Sequence, residues 1–431
     1  MRRIASTLLS IAAALAVGAL LAGCGKNATS NSAKIRFLQI SPDSGALSVR
    51  LNSDTTDFAS GLTYETATAY KQIGGGTQEV KVLTSAGTTA LDSTYNLAKD
   101  TNYTLAVFGP VATPAGILLT DSTTSPLTGN FRIRLGHLAS GLGAMDLYVE
   151  PAGTPITADN PKITAVGGGT ASAFVELAKG DYRVVLTASG SKDALYDSGV
   201  VTFGDRAIVT VVAYSAGSAK LANAALLFSD DTGTSQILSN PFARIKVAHA
   251  APDYPFIDML VDNSVSFSNV PYKGVSSYLT VAAGAHTLKI EPTSVPGSFI
   301  ATGPATLAGG HDYTVFATDV GGTAKFTLLS DSNLPPVSGR VRVRFVNATT
   351  DVASMDVLVN FVKQVGALPD YSASQYLDLA PAIYSLTFNT AGTTSAVLTL
   401  PAVQLDANLR YTIYVVGSTG HLEGVVSHDD D

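Results

Sequence analysis

The chain has 431 residues, with 27 Lys and Arg against 34 Asp and Glu and a formal net charge of −7. Charged residues make up 14% and apolar ones 46%, so the chain has the means to bury cores, and its length exceeds one ordinary domain. An acidic chain without basic clusters argues against nucleic acid as a partner, and the single cysteine, Cys24, excludes an intramolecular disulfide.

Residues 1–23 have the anatomy of a secretory signal peptide. Arg2 and Arg3 open it, an apolar stretch runs from Ile4 to Leu21, and small Ala22 and Gly23 precede Cys24. Leu21-Ala22-Gly23-Cys24 resembles the lipobox of bacterial lipoproteins. The resemblance implies cleavage before Cys24, a diacylglyceryl thioether on its sulfur, and acylation, for instance by palmitate, of the new N-terminus. An uncleaved transmembrane anchor would need ~20 apolar residues, and this run is short. Acyl chains worth ~0.8 kcal/mol per buried methylene would hold the protein on a membrane. Gly25 stands where Asp retains many Gram-negative lipoproteins at the inner membrane. The expected address is therefore the bacterial cell envelope, at the outer membrane, facing the periplasm or the outside. Residues 24–32 are polar and aperiodic and read as a lipidated tether.

Four copies of one unit follow. Lys34-Ile35-Arg36-Phe37 recurs as Arg132-Ile133-Arg134-Leu135, Arg244-Ile245-Lys246-Val247 and Arg342-Val343-Arg344-Phe345, with starts 98, 112 and 98 residues apart. Basic and apolar residues alternate, the period of a half-buried strand. The apolar members are expected to face a core and the basic ones water. Five residues after each start stands Gln39, His137, His249 or Asn347, and fourteen after it Ser48, Asp146, Asp258 or Asp356. An aromatic-to-turn element comes next, opened by Tyr70, Phe174, Tyr278 and Tyr376. Then Leu97, Leu307 and Leu405 each precede a Tyr by six residues, at Tyr103, Tyr313 and Tyr411. This resembles the tyrosine corner of immunoglobulin-like sandwiches. The second copy has no such Tyr after Phe203, and its corner must be held in another way.

Each unit has the size and strand density of one immunoglobulin-like β-sandwich. The expected fold class is all-β, with repeats at 33–128, 129–240, 241–336 and 337–431 arranged as a string, the fourth farthest from the anchor. Linkers fall at Ser122–Pro126, Ser239–Pro241 and Asn333–Pro336.

The third copy carries a further resemblance. Ala243 to Asp253, Ile257 to Asp262 and Val270-Pro271-Tyr272 resemble the bacterial domain of unknown function 4397. The fourth copy matches through Arg342–Ala348 and Met355–Asn360. The second has Ser140-Gly141 in place of Pro-Asp, and the first has Ser48 in place of the usual Asp. The resemblance implies repeated sandwiches in envelope or secreted proteins and assigns no catalytic residue.

The chemistry-bearing residues read as structural. His, Asn and Gln sharing one position suit a hydrogen-bonding role near a strand end, and no His or Cys at ligand spacing lies nearby for zinc. Asp146, Asp258 and Asp356 alternate with apolar neighbours. With the loop residues Asp43, Asp253 and Asp351 they could make a weak calcium site, yet bonds to loop amides explain them equally well. Gly74–Gly76 and Gly167–Gly169 lack the Lys and helix of a phosphate loop. No Gly-x-Ser-x-Gly elbow exists. Tyr254, Tyr272 and Tyr371 in loops could stack a sugar. The terminal His428-Asp429-Asp430-Asp431 reads as a solvated tail. The expected function is non-catalytic: a structural, adhesive or ligand-binding protein anchored in the membrane by its N-terminal lipid. It would meet an envelope protein or a glycan and require no cofactor or metal. A carbohydrate- or calcium-dependent binding protein and an envelope hydrolase are the alternatives.

Overall fold

The structure, a computed structural model, describes residues 31–429 apart from 111–112, 122–123, 158, 231–232 and 321–322. Every regular element among the described residues is a strand, and the strands form eight sheets, two to each repeat. Short runs of β-branched and aromatic residues, punctuated by Gly, Asn and Asp, favour this everywhere.

The opening strands are Ser32–Ile40, Asn130–Leu138, Phe242–Ala250 and Val341–Thr349. Each pairs in parallel with a return strand: Asn102–Phe108, Ile208–Tyr214, Asp312–Val320 or Arg410–Gly417. Parallel partners need a long crossover. Here the second sheet of the sandwich supplies it, in the first repeat through Leu47–Leu51, Ala59–Leu62, Gly76–Thr84 and Thr89–Leu97. The closing strands Ala115–Asp121, Asn223–Phe228, Thr323–Asp331 and Glu423–His428 then pair antiparallel with the return strands.

One core lies between the two sheets of each repeat. In the first, Ile35, Phe37, Val49, Val80, Val82 and Leu105 are completely enclosed, each side chain contributing about 1.5–3 kcal/mol by burial. The tyrosine corner is present in three repeats. The hydroxyls of Tyr103, Tyr313 and Tyr411 accept the main-chain N–H of Ala98, Ala308 and Asp406 at 2.9, 2.9 and 3.1 Å. In the second repeat Val209 takes the place of the Tyr, and Phe203 stacks on Phe131 at 4.5 Å between ring centroids. Apolar stacking replaces the hydrogen bond there.

The opening strands depart from expectation. Arg36, Arg134, Lys246 and Arg344 do not face water; their exposures are 0%, 7%, 1% and 2%. The cause is a second apolar layer on the outward face. Leu38, Ile40 and Ala106 pack against Leu138, Val212, Tyr214 and Leu227. Ala248, Ala250 and Phe316 pack in the same way against Val346, Ala348, Tyr414 and Val416. The repeats therefore lie face to face in two pairs, first with second and third with fourth, and not as a simple string.

Candidate functional site

Each buried cation occupies the same setting. Strand pairing places Arg36, Arg134, Lys246 and Arg344 opposite Thr104, Thr210, Thr314 and Thr412. The three arginines donate from Nε to that hydroxyl at 2.8, 2.9 and 2.9 Å. An aromatic ring covers every cation: Tyr70, Phe174, Tyr278 and Tyr376 have centroids 4.7, 4.5, 4.6 and 5.0 Å away. These are the residues that open the aromatic-to-turn element. At the end of the closing strand stands Asp121, Asp331 or Asp429, and Ser229 in the second repeat. Asp429 is thus a buried acid, in contrast to the solvated tail expected of it.

The acids join the repeats. Asp331 accepts from the hydroxyls of Tyr278 and Thr314, both at 2.6 Å, and pairs with Arg344 of the next repeat. Asp429 pairs back with Lys246. The two contacts are reciprocal, as an isologous interface requires. In the first pair Asp121 serves alone. It accepts from Tyr70 and Thr104 at 2.5 and 2.6 Å and lies 3.5 Å from Arg36 and 3.3 Å from Arg134. The second repeat lacks both the tyrosine hydroxyl and the acid it would bond, with Phe174 and Ser229 in their places. Arg36 turns instead to the carbonyls of Phe228 and Thr234, at 2.9 and 3.4 Å.

Protonation follows this inventory. Burial pulls Arg134 below its ordinary value, and Asp121 only partly offsets it. Burial also opposes charge on Lys246 and Arg344, but Asp429 and Asp331 outweigh it and hold both above their ordinary values. Asp331 is lowered despite complete burial, through Arg344 and Lys246.

The position shared by Gln39, His137, His249 and Asn347 ties down the loop after the opening strand. His137 and His249 meet the carbonyls of Gly143 and Tyr254 through Nε2 at 2.8 and 2.7 Å, and their Nδ1 atoms accept the N–H of Ala139 and Ala251. Asn347 donates to Val352 O at 2.9 Å, and Gln39 donates to Ser41 O at 3.1 Å while accepting that residue's N–H. Burial lowers both imidazoles, His249 to about 4.

The carboxylates of Asp146, Asp258 and Asp356 accept the N–H of Ala165, Asn269 and Ala367 at 2.7, 2.7 and 2.8 Å. Those three residues have φ of 51, 56 and 48° and sit at bulges. A side chain in that left-handed conformation costs about 1–2 kcal/mol. The first repeat has Gly61 at the same place, with φ of 68°, and Ser48 instead of the acid. The acid accompanies the strained residue and is absent where glycine removes the strain.

Cys24 lies outside the described residues. One face of Tyr272 and of Tyr371 is taken by Lys273 and Lys325, and Tyr254 packs against the third core. Among the described residues no group of three or more His, Cys, Asp or Glu side chains is placed to hold a metal ion. Sequence reasoning found the basic and aromatic positions but missed that they are buried and meet a Thr and an acid in one set. Their signal was present, since Leu38, Ile40, Leu138, Val346 and Ala348 make the outward face apolar beyond each basic residue.

Comparison with curated proteins gives no match. Among solved structures the chain is similar to the Bacillus anthracis TIE protein, at 11% identity over 86% of this chain and 68% of that one, with a TM-score of 0.16. Residues 33–148, 243–358 and 343–431 match the family described as domain of unknown function, DUF4397. The first two segments run into the opening strands of the following repeat, and so take in Asp121 with Arg134 and Asp331 with Arg344. These matches cover more than half of the sequence, and the chain belongs to the DUF4397 family.

Proposed function

We propose that the chain is a non-catalytic protein of the bacterial cell envelope, anchored at the outer membrane by lipid on Cys24. Its paired sandwiches would serve as a structural, adhesive or ligand-binding surface. The observation that carries this reading is the fate of the repeated polar residues. The Gln39/His137/His249/Asn347 set closes loops, the Asp146/Asp258/Asp356 set supports bulges, and the buried cations join repeats. Side chains engaged in this way fix shape. The anchor rests on Leu21-Ala22-Gly23-Cys24 and the signal before it.

Substituting Cys24→Ser tests the anchor. Radiolabelled palmitate should no longer enter the protein, and the chain should leave the membrane fraction. A substituted chain that stays membrane-bound and unprocessed would overturn lipid anchoring. Turnover of any substrate by the wild-type chain in a broad hydrolase panel would overturn the non-catalytic reading.

A further inference from the structure

A cavity of about 420 Å³ opens where the two pairs meet, and all four repeats contribute to its wall. Tyr64 and Glu65 come from the first, Gly217 from the second, His311 and Leu334 from the third, and Arg342 from the fourth. Its geometry is fixed by main chain. Gly310 O accepts the N–H of Gly217 and Ser218 at 3.3 and 3.0 Å, and Asn333 N–H donates to Gly217 O at 2.9 Å. A Cβ at Gly217 would lie 2.7 Å from His311 Nδ1, so a side chain there would displace the imidazole.

Glu65 is placed under strain. Its φ is 61°, at the position where the second repeat has Gly169 with φ of 74°. The two N–H groups bond equivalent carbonyls, those of Gln39 and His137. One carboxylate oxygen, Oε1, accepts from Tyr214 Oη at 2.9 Å and Asn223 Nδ2 at 3.1 Å. Among the described residues Glu65 forms no ion pair. The cation in the wall is already engaged, Arg342 with Asp378 at 3.2 Å. The acid Asp331 is likewise engaged with Arg344. Burial holds His311 below its ordinary value against the pull of Glu65 and Asp312, which favours the neutral imidazole, an acceptor in place of a competing positive charge. The cavity therefore presents the Glu65 carboxylate, which has no ion pair among the described residues, with Asp43 also in its wall, a tyrosine ring and neutral acceptors.

We propose that this cavity binds a small organic cation bearing a primary ammonium group, with Glu65 as its counter-charge. The inference is independent of the lipid anchor and of the reading of the repeats as scaffold. Putrescine serves as the probe, and succinate as a dicarboxylate of comparable size. Calorimetric titration of the full chain should give saturable binding of putrescine and none of succinate. Glu65→Gln keeps an oxygen for Tyr214 and Asn223 while removing the charge, and should weaken putrescine binding about tenfold or more. In the wild-type chain the His311 ring resonances should shift along the same saturation curve, a readout that does not depend on the variant folding. Absence of saturable putrescine binding, equal affinity in Glu65→Gln, or preference for succinate would each overturn the proposal.

Discussion

In the third and fourth repeats two cations meet two acids across the interface. In the first and second, two guanidiniums share Asp121, and Arg36 turns Nη1 to main-chain carbonyls while its buried Nη2 makes no hydrogen bond. The apolar layers differ in the opposite sense. The better neutralised pair sets Ala248, Ala250 and Ala348 beside Phe316, Val346, Tyr414 and Val416, while the other presents Leu38, Ile40, Leu138 and Leu227 beside Val212 and Tyr214. A buried ion pair adds little net stability, because desolvation offsets attraction, yet breaking one costs about 3–5 kcal/mol. The comparison teaches that charge here selects which faces meet, and that apolar area sets how firmly they hold.

The largest effect is expected from Asp121→Asn, which strands two buried guanidiniums at once. Urea unfolding should show a loss at or above the upper end of ~3–5 kcal/mol. Asp429→Asn should cost less, because Asp331 still acts on Lys246. Equal losses in the two variants would break the comparison.

A second test uses pH. His249 is held down at about 4, so the unfolded chain takes up its proton more readily than the folded one. Its contribution is complete above pH ~6.5 and drains as pH falls toward about 4, at no more than ~1.4 kcal/mol per pH unit. His249→Asn, which installs the amide found at Asn347, should make stability less dependent on pH across that window. Urea midpoints at pH 7.5 and 5 check this, and an unaltered slope would sink the assignment.

The smallest effect should come from Ser229→Asp. The Ser229 hydroxyl is buried beside Tyr70, in the place where the other repeats carry an acid. Supplying a carboxylate to the Arg36 and Arg134 pair should stabilise the chain by ~1 kcal/mol, read as a higher melting temperature. A lower one would mean that the first pair does not lack an acid.

Much of the sandwich was legible because its signals are local. Lys34-Ile35-Arg36-Phe37 and its copies, the Leu-to-Tyr spacing of six, and the acids at Asp146, Asp258 and Asp356 each act within one repeat. The pairing of repeats was not legible from the same strands. Arg36 looks like a surface residue until the partners of Leu38 and Ile40 are known, because alternation reports which face a side chain takes and not what covers that face. Asp429 was misread for a related reason, since its partner Lys246 lies in another repeat. The cavity at Glu65 was the least legible, because its wall is drawn from all four repeats.

The two kinds of bridge within a pair differ in their reach along the chain. Asp121 and Arg134, like Asp331 and Arg344, are 13 residues apart, whereas Lys246 and Asp429 are separated by 183. Closing a loop of that short length takes on the order of 10–100 ns. In a chain emerging N-terminus first, the near bridge can engage once the next opening strand is free. The far one must wait for that repeat's last strand. The short linker thus commits the first and the third repeat to their downstream neighbours before a distant copy can compete for the same face.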